Sequence, residues 1–318
     1  MVAGAILLIV LIGLRFEVGA DWPAYKQIFH YASLATFSEA INLGDPGFQA
    51  LNWSVAAIGA DLWLVNVVSA AVFVWGLVRL ANTQPSPFLA IVVAVPYLVI
   101  VVSMGYTRQA AAIGLVMAGL AAIERSGSAV RFAAYVTLAA VFHKSAVVVL
   151  PLVIFSGRHN RAMNVIAGLG LTYWLYTLLL SDSIEDFSRN YLERGYNSQG
   201  AAIRVAMNVV PAVLFFMARK KLRFTSDQAA IWRSFSLVAL AMVIALVLSP
   251  SSTAVDRLAL YIIPLQVVVL SRAFLLFEYH RQGKLAVITY AALIQIIWLT
   301  FAAHAEFWLP YQFYPLSS

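Results

Sequence analysis

Four arginines stand where polar stretches meet long apolar ones: Arg15, Arg108, Arg204 and Arg257. A guanidinium presents a planar fork of donors that matches two phosphate oxygens, and it stabilises the charge that grows on a departing phosphate. Several guanidinium groups at one membrane boundary would suit a pyrophosphate carried on a lipid. Two further residues could move a proton. Asp21, in Arg15-Phe-Glu-Val-Gly-Ala-Asp21-Trp-Pro-Ala-Tyr25, is a carboxylate able to accept one from a hydroxyl. His143, in Phe142-His-Lys-Ser145, titrates near neutral pH. Each has a plainer reading. Arginines snorkel at helix ends, Asp21 before Trp22-Pro23 could be a solvated helix cap, and the His143-Lys144-Ser145 turn could rest among headgroups. Trp308-Leu-Pro-Tyr311 reads as an interfacial anchor.

The elements that must position these groups are membrane helices. Of the 318 residues, 62% are hydrophobic and 11% charged, against about 25% charged in a soluble domain. A bilayer core of roughly 30 Å accepts apolar stretches of about 20 residues. Such stretches lie near 62–80, 87–105, 107–123, 162–180, 203–219, 232–249, 257–277 and 285–304, after an apolar stub from Met1 to Leu14. The stub has no basic leader region and no small-residue cleavage site, so it does not read as a signal peptide. The segments 131–142 and 146–156 are too short to cross and are expected to enter and return, with His143 at the tip. The expected fold is one all-α polytopic membrane domain over 1–318, with about nine full spans plus the short returning pair at 131–156. Its outer loops are 15–61 and 181–202.

The returning pair follows from charge. With it, one side holds Arg79, Arg125, Arg131, Arg158, Arg161, Arg219, Lys220, Lys221, Arg223, Arg233, Arg272, Arg281 and Lys284, which is 13 of 21 basic residues. The same side has only Glu124, Asp227 and Glu278 of 14 acids. That bias marks the cytoplasm and leaves the polar chemistry facing the periplasm or exterior of a bacterial inner membrane. The net charge of +7 is therefore an orientation signal, and no nucleic-acid partner is expected. No cysteine is present, which excludes disulfides and thiolate metal sites. No P-loop or dinucleotide fingerprint occurs, and no second histidine or carboxylate stands at ligand spacing from His143. No cofactor or metal is expected. Arg108 opens a helix on which Ala110, Gly114, Ala118 and Ala122 form a small-residue ridge, so that helix should be tightly packed. Arg257 and Tyr261, four apart, are expected on one face, and Arg204 lies one turn above Asn208.

Taken in order, several pieces resemble the EpsG family of polysaccharide polymerases, related to the Wzy polymerases. They are Arg15-Phe-Glu-Val-Gly-Ala-Asp21 with Tyr25, Asp45-Pro-Gly-Phe48, Tyr106-Thr-Arg108-Gln109, Phe142-His-Lys-Ser-Ala146 with Leu150-Pro151, Asp256-Arg257 with Tyr261, and Trp308-Leu-Pro-Tyr311. They span almost the whole chain. The resemblance implies a membrane glycosyltransferase with a GT-C-like helical bundle that joins glycan repeat units carried on undecaprenyl pyrophosphate. It implies roles for Arg15, Asp21, Arg108, His143 and Arg257. Acidic residues in the first outer loop of GT-C enzymes favour Asp21 as the base. The expected binding set is Arg15, Tyr25, Arg108, Gln109, Lys144, Arg204, Arg257 and Tyr261. Expected partners are the lipid-linked glycan, membrane lipid and other polysaccharide-assembly proteins. Relatives usually carry a further span before the first outer loop, and this sequence starts inside what looks like their second. Two rival readings are a flippase of lipid-linked sugar, which should carry polar groups through its depth and show repeats, and a non-catalytic scaffold.

Overall fold

The computed structural model describes residues 1–154, 170, 173, 200–249 and 252–317. The span expected at 162–180, most of the loop 181–202, and Arg158 and Arg161 lie outside the described residues. The chain is mainly helical. In order come α1 (Val2–Gly13), α2 (Trp22–Leu34), α3 (Phe37–Ala40), α4 (Pro46–Ala57), α5 (Leu62–Ala81), α6 (Pro87–Ala94), α7 (Thr107–Ser126), α8 (Ala129–Phe142) and α9 (Leu150–Ile154). Then follow α10 (Ala201–Ala218), α11 (Ser226–Leu248), α12 (Ser252–Ala259), α13 (Pro264–Leu270), α14 (His280–Phe301) and α15 (Tyr314–Ser317). Four of these, α5, α10, α11 and α14, are long and apolar enough to cross a membrane.

The small-residue ridge does what its spacing predicts. A Cβ added at Gly76 of α5 would fall 1.8 Å from the carbonyl oxygen of Gly114 on α7. The two helices therefore meet backbone to backbone, as small residues allow in a bilayer. Two other expectations change. The stretch 15–61 is largely helical, since α2, α3 and α4 fold within it. The stretch 257–277, expected as one helix, is broken into α12, a tight turn at Leu260–Ile262, and α13. Proline 264 has no N–H to continue the ladder. Ile263 N turns to the Leu260 carbonyl at 3.3 Å, the Ala259 carbonyl accepts from Asn208 Nδ2 at 2.9 Å, and Gln266 Nε2 donates to Asn208 Oδ1 at 2.7 Å. Pro96 acts similarly: α6 runs on as a wider π-helical stretch, Val95–Ser103.

Polar groups gather at two opposite ends. At one, Arg272 donates to Gln84 Oε1 at 3.0 Å, to the carbonyls of Leu222 and Arg223 at 3.2 and 3.1 Å, and to Gln228 Oε1 at 3.3 Å. Glu124 accepts there from Trp232 Nε1 at 2.6 Å. At the other end the segment after α14 returns to the start of the chain. Strand β1 (Arg15–Phe16) pairs antiparallel with β2 (Gln312–Phe313), Arg15 opposite Phe313. Gly19 N donates to the Phe307 carbonyl at 2.7 Å, and Trp308 Nε1 to that of Ile100 at 2.9 Å. Trp308 is buried. It is thus an internal strut rather than the expected interfacial anchor, because its ring is buried and its N–H donates to a backbone carbonyl within the bundle.

The two ends give a direct test. Ser38 on α3 and Lys221 after α10 are exposed at opposite ends. Single cysteines at these positions of the cysteine-free chain are expected to react with a membrane-impermeant maleimide from opposite faces of the membrane. Labelling of both in intact spheroplasts would contradict this arrangement.

Candidate active site

Asp45 precedes the first turn of α4 but makes no side-chain cap bond there. A close approach explains where its carboxylate goes instead. A Cβ at Gly47 would lie 2.7 Å from Val141 Cγ1 and 3.1 Å from the Val141 carbonyl oxygen. Only glycine lets the start of α4 sit against the end of α8. The carboxylate of Asp45 then meets the turn that follows α8. Its Oδ1 accepts from the backbone N–H of Lys144 at 3.1 Å, and its Oδ2 lies 3.4 Å from His143 Nδ1. Arg108, at the start of α7, donates its Nη1 to the same Oδ2 at 2.9 Å.

Around this carboxylate stand the other groups. The imidazole of His143 lies nearly parallel to the Tyr261 ring, with centroids 6.4 Å apart and planes 22° apart. Tyr261 is fully buried, and its hydroxyl has no partner among the described residues. Tyr25 packs edge-on against Phe48 at 5.7 Å, with its phenol beside the Arg108 guanidinium. Asp21 sits at the cap position of α2 without making a cap bond, so its carboxylate is not consumed by the helix. It is within electrostatic reach of Arg257 and Arg108.

The electrostatics differ between the two carboxylates. Burial raises the Asp21 carboxyl above its ordinary range, with Arg257 and Arg108 pulling the other way. Burial would also push up Asp45. The hydrogen bond and charge of His143, then Arg108 and the Lys144 N–H, outweigh it and hold Asp45 below the usual carboxylate range. Burial pushes the Tyr25 phenol up to about 12. Asp45 is thus the fixed anion of the cluster and Asp21 the more easily protonated one. With Nδ1–H directed to Asp45, the other ring nitrogen of His143 keeps a lone pair that can take a proton. Arg108 has a side chain 34% exposed, enough to reach an incoming phosphate.

The structure therefore brings together Asp21, Tyr25, Arg108, His143, the backbone of Lys144, Arg257 and Tyr261. It treats three expected binders differently. Arg15 is 1% exposed and donates to Ile12 O at 2.7 Å, Val18 O at 3.3 Å, Asn66 Oδ1 at 3.1 Å and Thr107 Oγ1 at 2.7 Å. Its fork holds protein acceptors rather than opening on a ligand. Arg204 is buried against Asp256 and the Tyr97 hydroxyl, under the Tyr97 and Tyr106 rings. Gln109 is a tie, its Nε2 donating to the backbone carbonyl of Arg257 at 2.9 Å. Arg257 is exposed and Tyr261 is buried, yet both bear on His143. Sequence reasoning gave Asp45 no role. Its one signal was the Asp-Pro-Gly-Phe piece, which looks like an ordinary helix start.

A family model of the EpsG family matches residues 2–313 of the 318. No curated protein and no solved structure matches the chain.

The buried Arg15 network makes a stability prediction. Arg15→Lys keeps the charge but cannot reach four acceptors in two directions. Each buried acceptor left unmade costs roughly 1–3 kcal/mol. The purified variant is expected to show a clearly lower Tm in detergent, read by loss of its size-exclusion peak on heating. An unchanged Tm would remove Arg15 as a structural tie.

Proposed function

We propose that this chain, which belongs to the EpsG family, polymerises oligosaccharide repeat units carried on undecaprenyl pyrophosphate at the outer face of the bacterial inner membrane. The family is associated with polysaccharide polymerisation in the membrane, and the apolar helices agree with that setting. The finer reading is a metal-independent glycosyltransferase on a GT-C-like bundle of about nine spans. One observation supports it above all: an imidazole and a partly open guanidinium gathered around the Asp45 carboxylate at the end of the bundle opposite Arg272.

In the proposed reaction, the acceptor hydroxyl oxygen attacks the anomeric carbon of the donor glycan. The bond from that carbon to the pyrophosphate oxygen breaks, and undecaprenyl pyrophosphate leaves. The hydroxyl proton passes to a base, for which His143 and Asp21 are the available groups. Arg108 and Arg257, whose guanidinium groups both act on Asp21, face the negative charge that builds on the leaving group. Tyr25 and Lys144 line the same region. Such an arrangement needs positioning, a proton acceptor and charge neutralisation, all of which side chains can supply.

The test is a purified one. The protein alone, given purified lipid-linked repeat unit, is expected to yield a ladder of longer glycans and free undecaprenyl pyrophosphate. Translocation of the substrate without any new glycosidic bond would instead establish a flippase. Arg108→Lys and Arg257→Lys are each expected to lower kcat roughly 10²-fold or more, since lysine keeps charge but loses the two-point fork. Near-normal turnover in both would remove them from the site. His143→Gln and Asp21→Asn, compared across pH, identify the base by a loss of roughly 10² or more.

A further inference from the structure

We infer that Asp45 is the positioning carboxylate of this site: it fixes the tautomer of His143 and the direction of Arg108, so that the imidazole presents Nε2 to the acceptor hydroxyl. The inference rests on the polymerase reading and names the residue through which its proton acceptor and its charge clamp are held in one geometry.

The argument begins with what Asp45 does not do. A carboxylate before the first turn of a helix ordinarily accepts from the N–H groups of that turn. Here α4 goes without that bond, and both oxygens point elsewhere. Oδ1 takes the N–H of Lys144, which fixes the backbone next to His143. Oδ2 faces both His143 Nδ1 and Arg108 Nη1. A single buried oxygen thus sets two side chains, one from the turn after α8 and one from α7. Histidine used in chemistry is commonly oriented this way, with one nitrogen held by a carboxylate and the other left for the reaction.

The surroundings strengthen the case. Tyr261 lies nearly parallel to the imidazole and bounds the site on that side. The groups that face His143 are Asp45 from the start of α4, Arg108 from α7, Arg257 from α12, Tyr261 from the turn after α12, and its neighbour Lys144. Asp21 bears on the same two arginines. Among them Asp45 is the anion in direct contact with the ring. Burial works most strongly against a proton on His143; the hydrogen bond and charge of Asp45 favour one, and the two arginines oppose it. Removing that charge must lower the affinity of His143 for a proton and release its tautomer preference. Arg108 would lose its anchor in the same step.

The experiment has a spectroscopic arm and a kinetic arm. The chain has five histidines, so ring-labelled protein in nanodiscs can be assigned at His143 by the His143→Gln spectrum. Wild type is expected to show the Nδ1–H tautomer at His143. Asp45→Asn is expected to lower the His143 pKa and mix the tautomers, and Asp45→Glu to restore both. In the polymerisation assay, Asp45→Asn is expected to cut kcat roughly 10- to 100-fold, the usual scale for a supporting partner. The acid limb of its kcat–pH profile should move to lower pH, and Asp45→Glu should recover most of the rate. An Nε2–H tautomer in the wild type would overturn the inference, and this holds even if Asp45→Asn does not fold. So would an Asp45→Asn protein with an unmoved His143 titration or a normal kcat. Failure of the wild type to make any polymer would sink the polymerase reading instead, while the spectra would still report on Asp45.

Discussion

The geometry at the site's end of the bundle hangs on one buried guanidinium. Arg15 opens strand β1 just after α1 and reaches Asn66 on α5 and Thr107 on α7. A charge in that position must find acceptors inside the protein, because neither lipid nor water is there to supply them. It finds four, on three separate parts of the chain. Thr107 is thereby held against Arg15, and Arg108 follows it about 100° around the helix. That rotation sends the Arg108 fork away from Arg15 and toward Asp45. One arginine thus aims its counterpart at the site without touching it.

The same requirement shapes the interruptions of the long helices. Proline at 96 and at 264 removes N–H donors in segments that would otherwise run straight. In water such gaps are filled by solvent. Here the backbone turns locally to tighter or wider pitch, and Asn208 and Trp308 donate to the carbonyls of Ala259 and Ile100 beside the breaks. The break near 264 has a functional side. The tight turn after α12 carries Tyr261, whose ring lies nearly parallel to the imidazole of His143.

Much of this was legible in the residues. The ridge from Ala110 to Ala122 told of a tightly packed helix, and Arg108 at its head was a sound candidate for the site. His143 at a tip between two short helices was equally visible, because ionisable residues at such depth stand out. Asp45 was not visible. Asp before Pro at a helix start is common, and the close contact that diverts its carboxylate depends on Gly47 meeting Val141, some 94 residues away. Arg15 and Arg204 were seen as boundary arginines, but the sequence does not tell whether such a fork opens outward or is consumed within. That depends on Asn66, Thr107, Tyr97 and Asp256, all distant in the chain.

The pairing of β1 with β2 has a consequence for how the protein comes into being. Arg15 and Phe313 are joined across nearly the whole sequence, and contacts of such separation form late. Residues 307–313 leave the ribosome after every helix they brace. Until they arrive, the segment from Arg15 to Gly19 lacks the strand and the Phe307 carbonyl that hold it, and the Trp308 strut under the π-helical stretch is missing. A nascent chain can insert its helices one by one yet leaves this end of the bundle unfinished until residues 307–313 are made, so the bracing of Arg15 to Gly19 is among the last parts of the fold to form.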